Sequence, residues 1–243
     1  MIPSVYIGDD CDLVESILAL HLPCRENPLI LDCTYGYGRF WQSSKREVIG
    51  LDLRMAELQK DIARSTQPQT LAAGTLVASS FEAMPFRSMT FDAVVFDPPF
   101  LTRGSDGFRM KARYTALESY GLLLDTISRA VREISRVLKS NGILLFKCMD
   151  WTEGSRRRWL HIDVINLLVG QRDFNWRLDD LFVKVGFTNM KSKSWLRQHR
   201  SRSAHTYFLV FRPARKLIHR EKVLQGNSLF PCREATKVKD AQV

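Results

Sequence analysis

The stretch FDAVVFDPPF, residues 91–100, runs apolar from Ala93 to Phe96 and then stops on an acid, two prolines and an aromatic ring. A strand that does not alternate apolar with polar residues is covered on both faces, as in the parallel sheets of α/β proteins. Four other runs of strand length share that character: PLILDC (28–33), VIGLDL (48–53), TLVASS (75–80) and GILLFKC (142–148). Before the last of these, LLLDTISRAVREISRVLKSNG (122–142) repeats Leu123, Ile127, Val131, Ile134 and Leu138 at helical spacing, and Asn141-Gly142 reads as its C-terminal stop. This alternation predicts a doubly wound α/β sheet, mostly parallel. Residues 179–196 and 204–213 predict a helix, a strand, a loop and a second strand, the two strands closing the sheet as an antiparallel hairpin.

A chain of 243 residues, 45% hydrophobic, buries one substantial core. Residues 1–213 are expected to form a single domain, and 214–243 a basic, flexible tail. Neither a leader pattern nor an apolar run of membrane-spanning length is visible, so a cytoplasmic protein without membrane contact is expected. The 5 cysteines are scattered and never in C-x-x-C spacing, which suggests neither a disulfide framework nor a zinc site, and no metal is expected. The net charge of +10 is unevenly placed: residues 1–150 carry 17 Lys and Arg against 18 Asp and Glu, whereas residues 151–243 carry 19 against 8. A neutral part joined to a cationic part divides small-molecule chemistry from the gripping of a polyanion, with nucleic acid the leading partner.

The first strand ends in DCTYGYGRFW, residues 32–41. Gly36 and Gly38 after a buried strand let the backbone turn sharply and leave room for a ligand against bare main chain. Trp41 fills the third glycine position of a dinucleotide fingerprint, and no Gly-Lys-Ser/Thr follows, so NAD and nucleotide phosphates are disfavoured. Asp52, ending the second strand, suits the ribose hydroxyls of an adenosine, and Ser80 and Phe81 follow the third strand where its adenine would lie. A nucleoside cofactor without phosphates fits these residues. S-adenosylmethionine is such a molecule, and Asp32 would suit its ammonium group.

Asp97-Pro98-Pro99-Phe100 falls at the carboxyl edge of the sheet, where open α/β sheets bind ligands. The prolines fix φ and remove two backbone donors, leaving carbonyl oxygens to accept in a rigid geometry. Asp97 and the Pro98 carbonyl can each accept one hydrogen of an exocyclic nucleobase amine while Phe100 stacks on the ring, which aims the nitrogen lone pair at a sulfonium methyl.

This constellation resembles the amino-methyltransferases, which act through a D/N/S-P-P-Y/F/W motif on a Rossmann-like class I methyltransferase fold. The resemblance runs from about residue 28 to residue 213. The D-x-T-Y-G-x-G-x-F-W loop, F-D-P-P-F, F-K-C-x-D at 146–150, R-R-R-W-x-H at 156–161 and H-x-Y-F-L-V-F-R at 205–212 look like small phage and actinobacterial adenine-specific DNA methyltransferases. The resemblance implies methylation of adenine N6 in DNA. It assigns Asp32, Gly36, Gly38 and Asp52, with Thr34 among them, to the cofactor, and Asp97, Pro98, Pro99 and Phe100 to catalysis. An RNA methyltransferase acting on an exocyclic amine such as guanine N2 uses the same motif, and a catalytically silent nucleic-acid-binding subunit is the alternative outside enzymes.

Lys147, Cys148 and Asp150 close the fifth strand at the same edge, where they serve either the site or a structural cluster. Arg156, Arg157 and Arg158 with Trp159 and His161 combine cations and aromatic planes suited to phosphates and unstacked bases. Arg197, Arg200 and Arg202 read as a phosphate-gripping loop.

Overall fold

The structure of the protein is a computed structural model that describes residues 2–23, 26–57, 60, 75–99, 119–153, 156–169, 175–186 and 203–214. Phe100, Arg197, Arg200, Arg202 and the predicted tail beyond Ala214 lie outside the described residues. In chain order the elements are β1 (Val5–Ile7), α1 (Asp10–His21), β2 (Ile30–Asp32), β3 (Val48–Leu51), β4 (Leu76–Val77), β5 (Phe91–Phe96) and α2 (Tyr120–Val137). Then come β6 (Leu138–Cys148), β7 (Trp151–Glu153), β8 (Arg156–Arg158), α3 (Leu160–Val169), β9 (Trp176–Val185) and β10 (His205–Pro213).

Among the described residues one sheet of 8 strands has the order β1-β9-β10-β6-β5-β2-β3-β4. The strands from β6 to β4 are parallel, and β10 is antiparallel to both of its neighbours, β6 and β9. The chain winds outward from β2 through β3 to β4, then returns to the other side of β2 with β5 and β6. The crevice of a doubly wound sheet therefore opens between the carboxyl ends of β2 and β5.

The unbroken apolar character of β5 follows from its position, since every residue from Phe91 to Phe96 is buried. Successive side chains point to opposite faces. Ala93 and Val95 pack with Leu13, Val14 and Ile17 of α1, whereas Val94 and Phe96 pack with Leu123, Ile127 and Val131 of α2. Ser119 caps α2 by accepting a hydrogen bond from the Leu122 N–H at 3.2 Å. Leu13, Val14, Ile17 and Leu18 mark α1 at helical spacing, and this helix was not expected.

Two expectations are corrected. Asn141-Gly142 does not stop α2, because the helix ends at Val137 and Leu138 is already extended, with φ −79° and ψ 139°. Gly142 lies inside β6, where an added Cβ would stand 2.9 Å from the Asp92 carbonyl oxygen and 2.7 Å from Leu138 Cδ1. Close approach of β6 to β5, not helix termination, requires the glycine. The pairing absorbs the extra residues there, passing from Phe91 opposite Leu138 to Ala93 opposite Ile143. Residues 179–185, expected to begin as a helix, belong to strand β9. Asp179 and Asp180 are accommodated in that strand by neighbours: Arg177 and Arg212 donate to Asp179 at 2.8 and 2.5 Å, and His21 stands 3.3 Å from Asp180. The expected antiparallel pairing of the last two strands is present, β9 with β10.

Candidate active site

Past the end of β2 the backbone is gripped on both sides. The Cys33 N–H donates to the Val95 carbonyl at 3.1 Å and the Tyr35 N–H to the Leu51 carbonyl at 3.1 Å. Gly36 and Gly38 then adopt left-handed conformations with φ of 52° and 65°, which an L side chain adopts only under strain. The turn closes through the Gly38 N–H to the Tyr35 carbonyl at 2.8 Å and the Trp41 N–H to the Gly38 carbonyl at 3.0 Å.

Asp32 serves that loop from inside. Its carboxyl is buried and accepts from Trp41 Nε1 at 2.7 Å and from the Thr34 N–H at 3.0 Å. Burial raises its pKa to about 7; the two hydrogen bonds oppose the shift, and Asp97 and Asp52 add to it. Asp52 behaves differently. It accepts from the Gly36 N–H at 3.1 Å and the Arg54 N–H at 2.8 Å, yet remains part of a cavity wall.

That cavity, about 400 Å³, lies over the switch point. Thr34, Gly36 and Asp52 line it from the β2 and β3 ends, Ser80 and Phe81 from the β4 side, and Asp97, Pro98 and Pro99 from β5. The structure thus brings together most of the residues expected for cofactor and catalysis, while Asp32 and Gly38 shape the loop without lining the cavity. Leu122 and Thr126 of α2, and Arg129, which pairs with Glu82 at 2.8 Å, complete the wall. These residues carry no motif, and only the packing of α2 brings them here.

Asp97 is tied down at two points. Its N–H donates to Thr34 Oγ1 at 2.7 Å, which joins the glycine loop to the Asp-Pro-Pro turn. Lys147 Nζ donates to its Oδ2 at 3.0 Å, while its Oδ1 is buried and without a hydrogen-bond partner. Burial raises the Asp97 pKa, with Lys147 pulling it down. An unpaired buried oxygen on a carboxylate that lines a cavity is an acceptor waiting for a donor.

On the far side of β6, β7 and β8 form a short hairpin of their own. Arg158 is occupied there, donating to Glu153 at 2.7 Å and lying 4.6 Å from the Tyr120 ring centroid. Arg157 lies 5.3 Å from the Trp159 ring and donates to the Ser203 hydroxyl. Arg156 and Trp159 are exposed. His161 contacts the buried Asp150 at 2.8 Å and stacks on Tyr207 at 4.0 Å, so it belongs to a packed cluster.

Compared with known proteins, the chain matches no family model and no curated protein by sequence. Solved structures do resemble it. A SAM-dependent methyltransferase from Methanosarcina mazei is similar with a TM-score of 0.51 at 16% identity, over 80% of this chain and 96% of that one. The 1,6-didemethyltoxoflavin-N1-methyltransferase of Burkholderia thailandensis, solved with S-adenosylhomocysteine, is similar with a TM-score of 0.50 at 13% identity, over 85% of this chain and 79% of that one. The chain has the Rossmann-like fold of SAM-dependent methyltransferases. Among the described residues, no helix is long and apolar enough to cross a membrane.

Proposed function

We propose that the protein is an S-adenosylmethionine-dependent methyltransferase that modifies the exocyclic N6 amino group of adenine in DNA. The observation that carries this reading is Asp97: a cavity-lining carboxylate at the switch point, followed by two prolines, with one oxygen buried and unpartnered. The cofactor fits the residues present. Asp52 offers a carboxylate to a ribose diol, Gly36 leaves the main chain bare, and Ser80 and Phe81 provide a flank for an adenine ring. The cofactor, when bound, supplies a methyl group on a cationic sulfur.

The chain's own residues do the rest by positioning. Asp97 Oδ1 accepts one hydrogen of the target amine and the Pro98 carbonyl accepts the other, which fixes the direction of the nitrogen lone pair. Phe100 stacks on the base, which leaves the duplex to reach the site. The amine becomes acidic only as it gains the methyl group, so Asp97 accepts the proton late and need not be a strong base beforehand. Arg156, Arg157, Arg197, Arg200 and Arg202 meet phosphates and Trp159 offers a stacking face; Arg158, engaged by Glu153, supports the hairpin.

Incubation with labelled cofactor and unmethylated DNA or RNA, followed by nucleoside separation, tests the reading. N6-methyladenine in DNA is expected, and it disappears in Asp97→Ala while calorimetric cofactor affinity stays the same. Label in guanine N2 of RNA, or no transfer to either polymer, overturns it.

A further inference from the structure

Lys147, at the carboxyl end of β6, reaches the site through Asp97. Its side chain is only 14% exposed, and its ammonium sits between two carboxylates, Asp97 Oδ2 at 3.0 Å and Asp10 Oδ2 at 2.9 Å. The rings of Phe40 and Phe208 flank it at 4.9 and 5.8 Å from their centroids. Asp10, in the first turn of α1, is paired on its other oxygen with Lys184 of β9. Charges therefore alternate from β9 through α1 and β6 to the end of β5: Lys184, Asp10, Lys147, Asp97.

We propose that Lys147 is the positioning residue of the site: it captures Oδ2 of Asp97 so that Oδ1 alone is left as acceptor for the substrate amine. This rests on the reading of Asp97 as that acceptor. The carboxylate of Asp97 is held at its backbone by Thr34 and at one oxygen by Lys147, which leaves its other oxygen a single orientation. Without Lys147 both oxygens would compete for the substrate, and burial would drive the carboxyl toward its neutral form, which cannot accept in the same way. The groups acting on Asp97 are Lys147 from β6, which favours its charged form, and Asp10 from α1, which opposes it. Asp32 at the end of β2 and Cys148 on β6 also feel its charge.

Lys147 itself does not take the proton. Burial would lower its pKa, but Asp97 and Asp10 outweigh burial and raise it, so the ammonium persists. In the transfer, the nitrogen lone pair forms the C–N bond as the carbon–sulfur bond breaks with its electron pair left on sulfur. The nitrogen proton passes to Asp97 Oδ1 and from there to water.

The test is a pair of pH measurements on Lys147→Met, Lys147→Arg and Asp10→Asn. One is the acidic limb of kcat for methyl transfer; the other is the ¹³C carboxyl titration of Asp97 without substrate, its resonance identified by its loss in Asp97→Asn. Lys147→Met should move both midpoints to higher pH and lower kcat at neutral pH on the order of 100-fold, with cofactor affinity kept. Asp10→Asn should move both to lower pH, because it removes the carboxylate that competes for Lys147, and Lys147→Arg should restore most of the wild-type profile. An unchanged Asp97 midpoint in Lys147→Met overturns the proposal, and if that variant does not fold, an unchanged midpoint in Asp10→Asn does so. If the wild-type protein methylates neither DNA nor RNA, the functional reading falls, while the titration still decides whether Lys147 controls Asp97.

Discussion

Asp32 and Asp52 each close an apolar strand, and they are put to different uses. Asp52 keeps its carboxylate at the cavity wall, so Asp52→Ala should weaken S-adenosylmethionine binding by roughly 1–3 kcal/mol, the effect of losing charge-assisted hydrogen bonds to a ribose. Calorimetry with an unchanged Kd would return Asp52 to a purely structural role in the Gly36 turn. Asp32 faces inward, and its burial has a consequence for stability. Its folded-state pKa is raised from 3.8 to about 7, so its stabilising contribution is fully present below the unfolded value and is lost as pH rises through about 7. Asp32→Asn cannot ionise, so the Tm advantage of the wild type over this variant should shrink between about pH 4 and pH 7. A gap in Tm that stays constant across that window would show that the carboxyl does not titrate there. The position of both acids was legible from the strand ends. That Asp32 would be enclosed was not, because its partner Trp41 looks in the sequence like a residue filling a glycine's place.

Among the elements, buried parallel strands were easiest to read, since a strand covered on both faces has no polar alternation to confuse with anything else. The α2 stripe was equally plain, with its Leu123, Ile127, Val131 and Ile134 all wholly buried. Its end was not, because Asn-Gly carries one meaning after a helix and another within a strand, and only the approach of β6 to Asp92 distinguishes them. The start of strand β9 was read as a helix for a related reason: Asp179 and Asp180 look like helix-starting acids until Arg177 and Arg212 are seen to neutralise Asp179 on the sheet. Lys147 shows the same limit at the site. Its partner Asp10 lies far away in the chain, on a helix the sequence reading passed over, so neither residue announced the other. The strand reading of Gly142 has a direct test. Gly142→Ala places a Cβ 2.9 Å from a backbone oxygen, so it should destabilise the fold by roughly 1–3 kcal/mol in urea denaturation. A helix-stop glycine with room around it would tolerate alanine with far less loss, and that outcome would argue against the close contact.

For the whole molecule, the decisive property is the separation of charge from chemistry. The cavity residues come from the first 150 residues, whose net charge is −1, while the remaining 93 carry +11. Under the proposed function, a cofactor that brings its own positive charge meets the neutral part, and DNA meets the cationic part. Under the proposed function, DNA affinity should therefore fall steeply with salt, roughly 10²-fold between 50 and 200 mM for four or five phosphate contacts, because binding releases counterions. Cofactor affinity should change little over the same range. Base selection has a narrower source. Arginines that hold phosphates carry almost no sequence information, and Arg158, which pairs with Glu153, is already engaged within its own hairpin. The stretch from Leu101 to Ser119 and the exposed Trp159 are the principal candidates left to touch bases. Short or relaxed target specificity follows, with adenines methylated in many contexts when a random-sequence DNA library is treated and mapped. Confinement of methylation to one site of about six or more defined base pairs would require base-reading contacts well beyond these residues, and it would refute this division of labour.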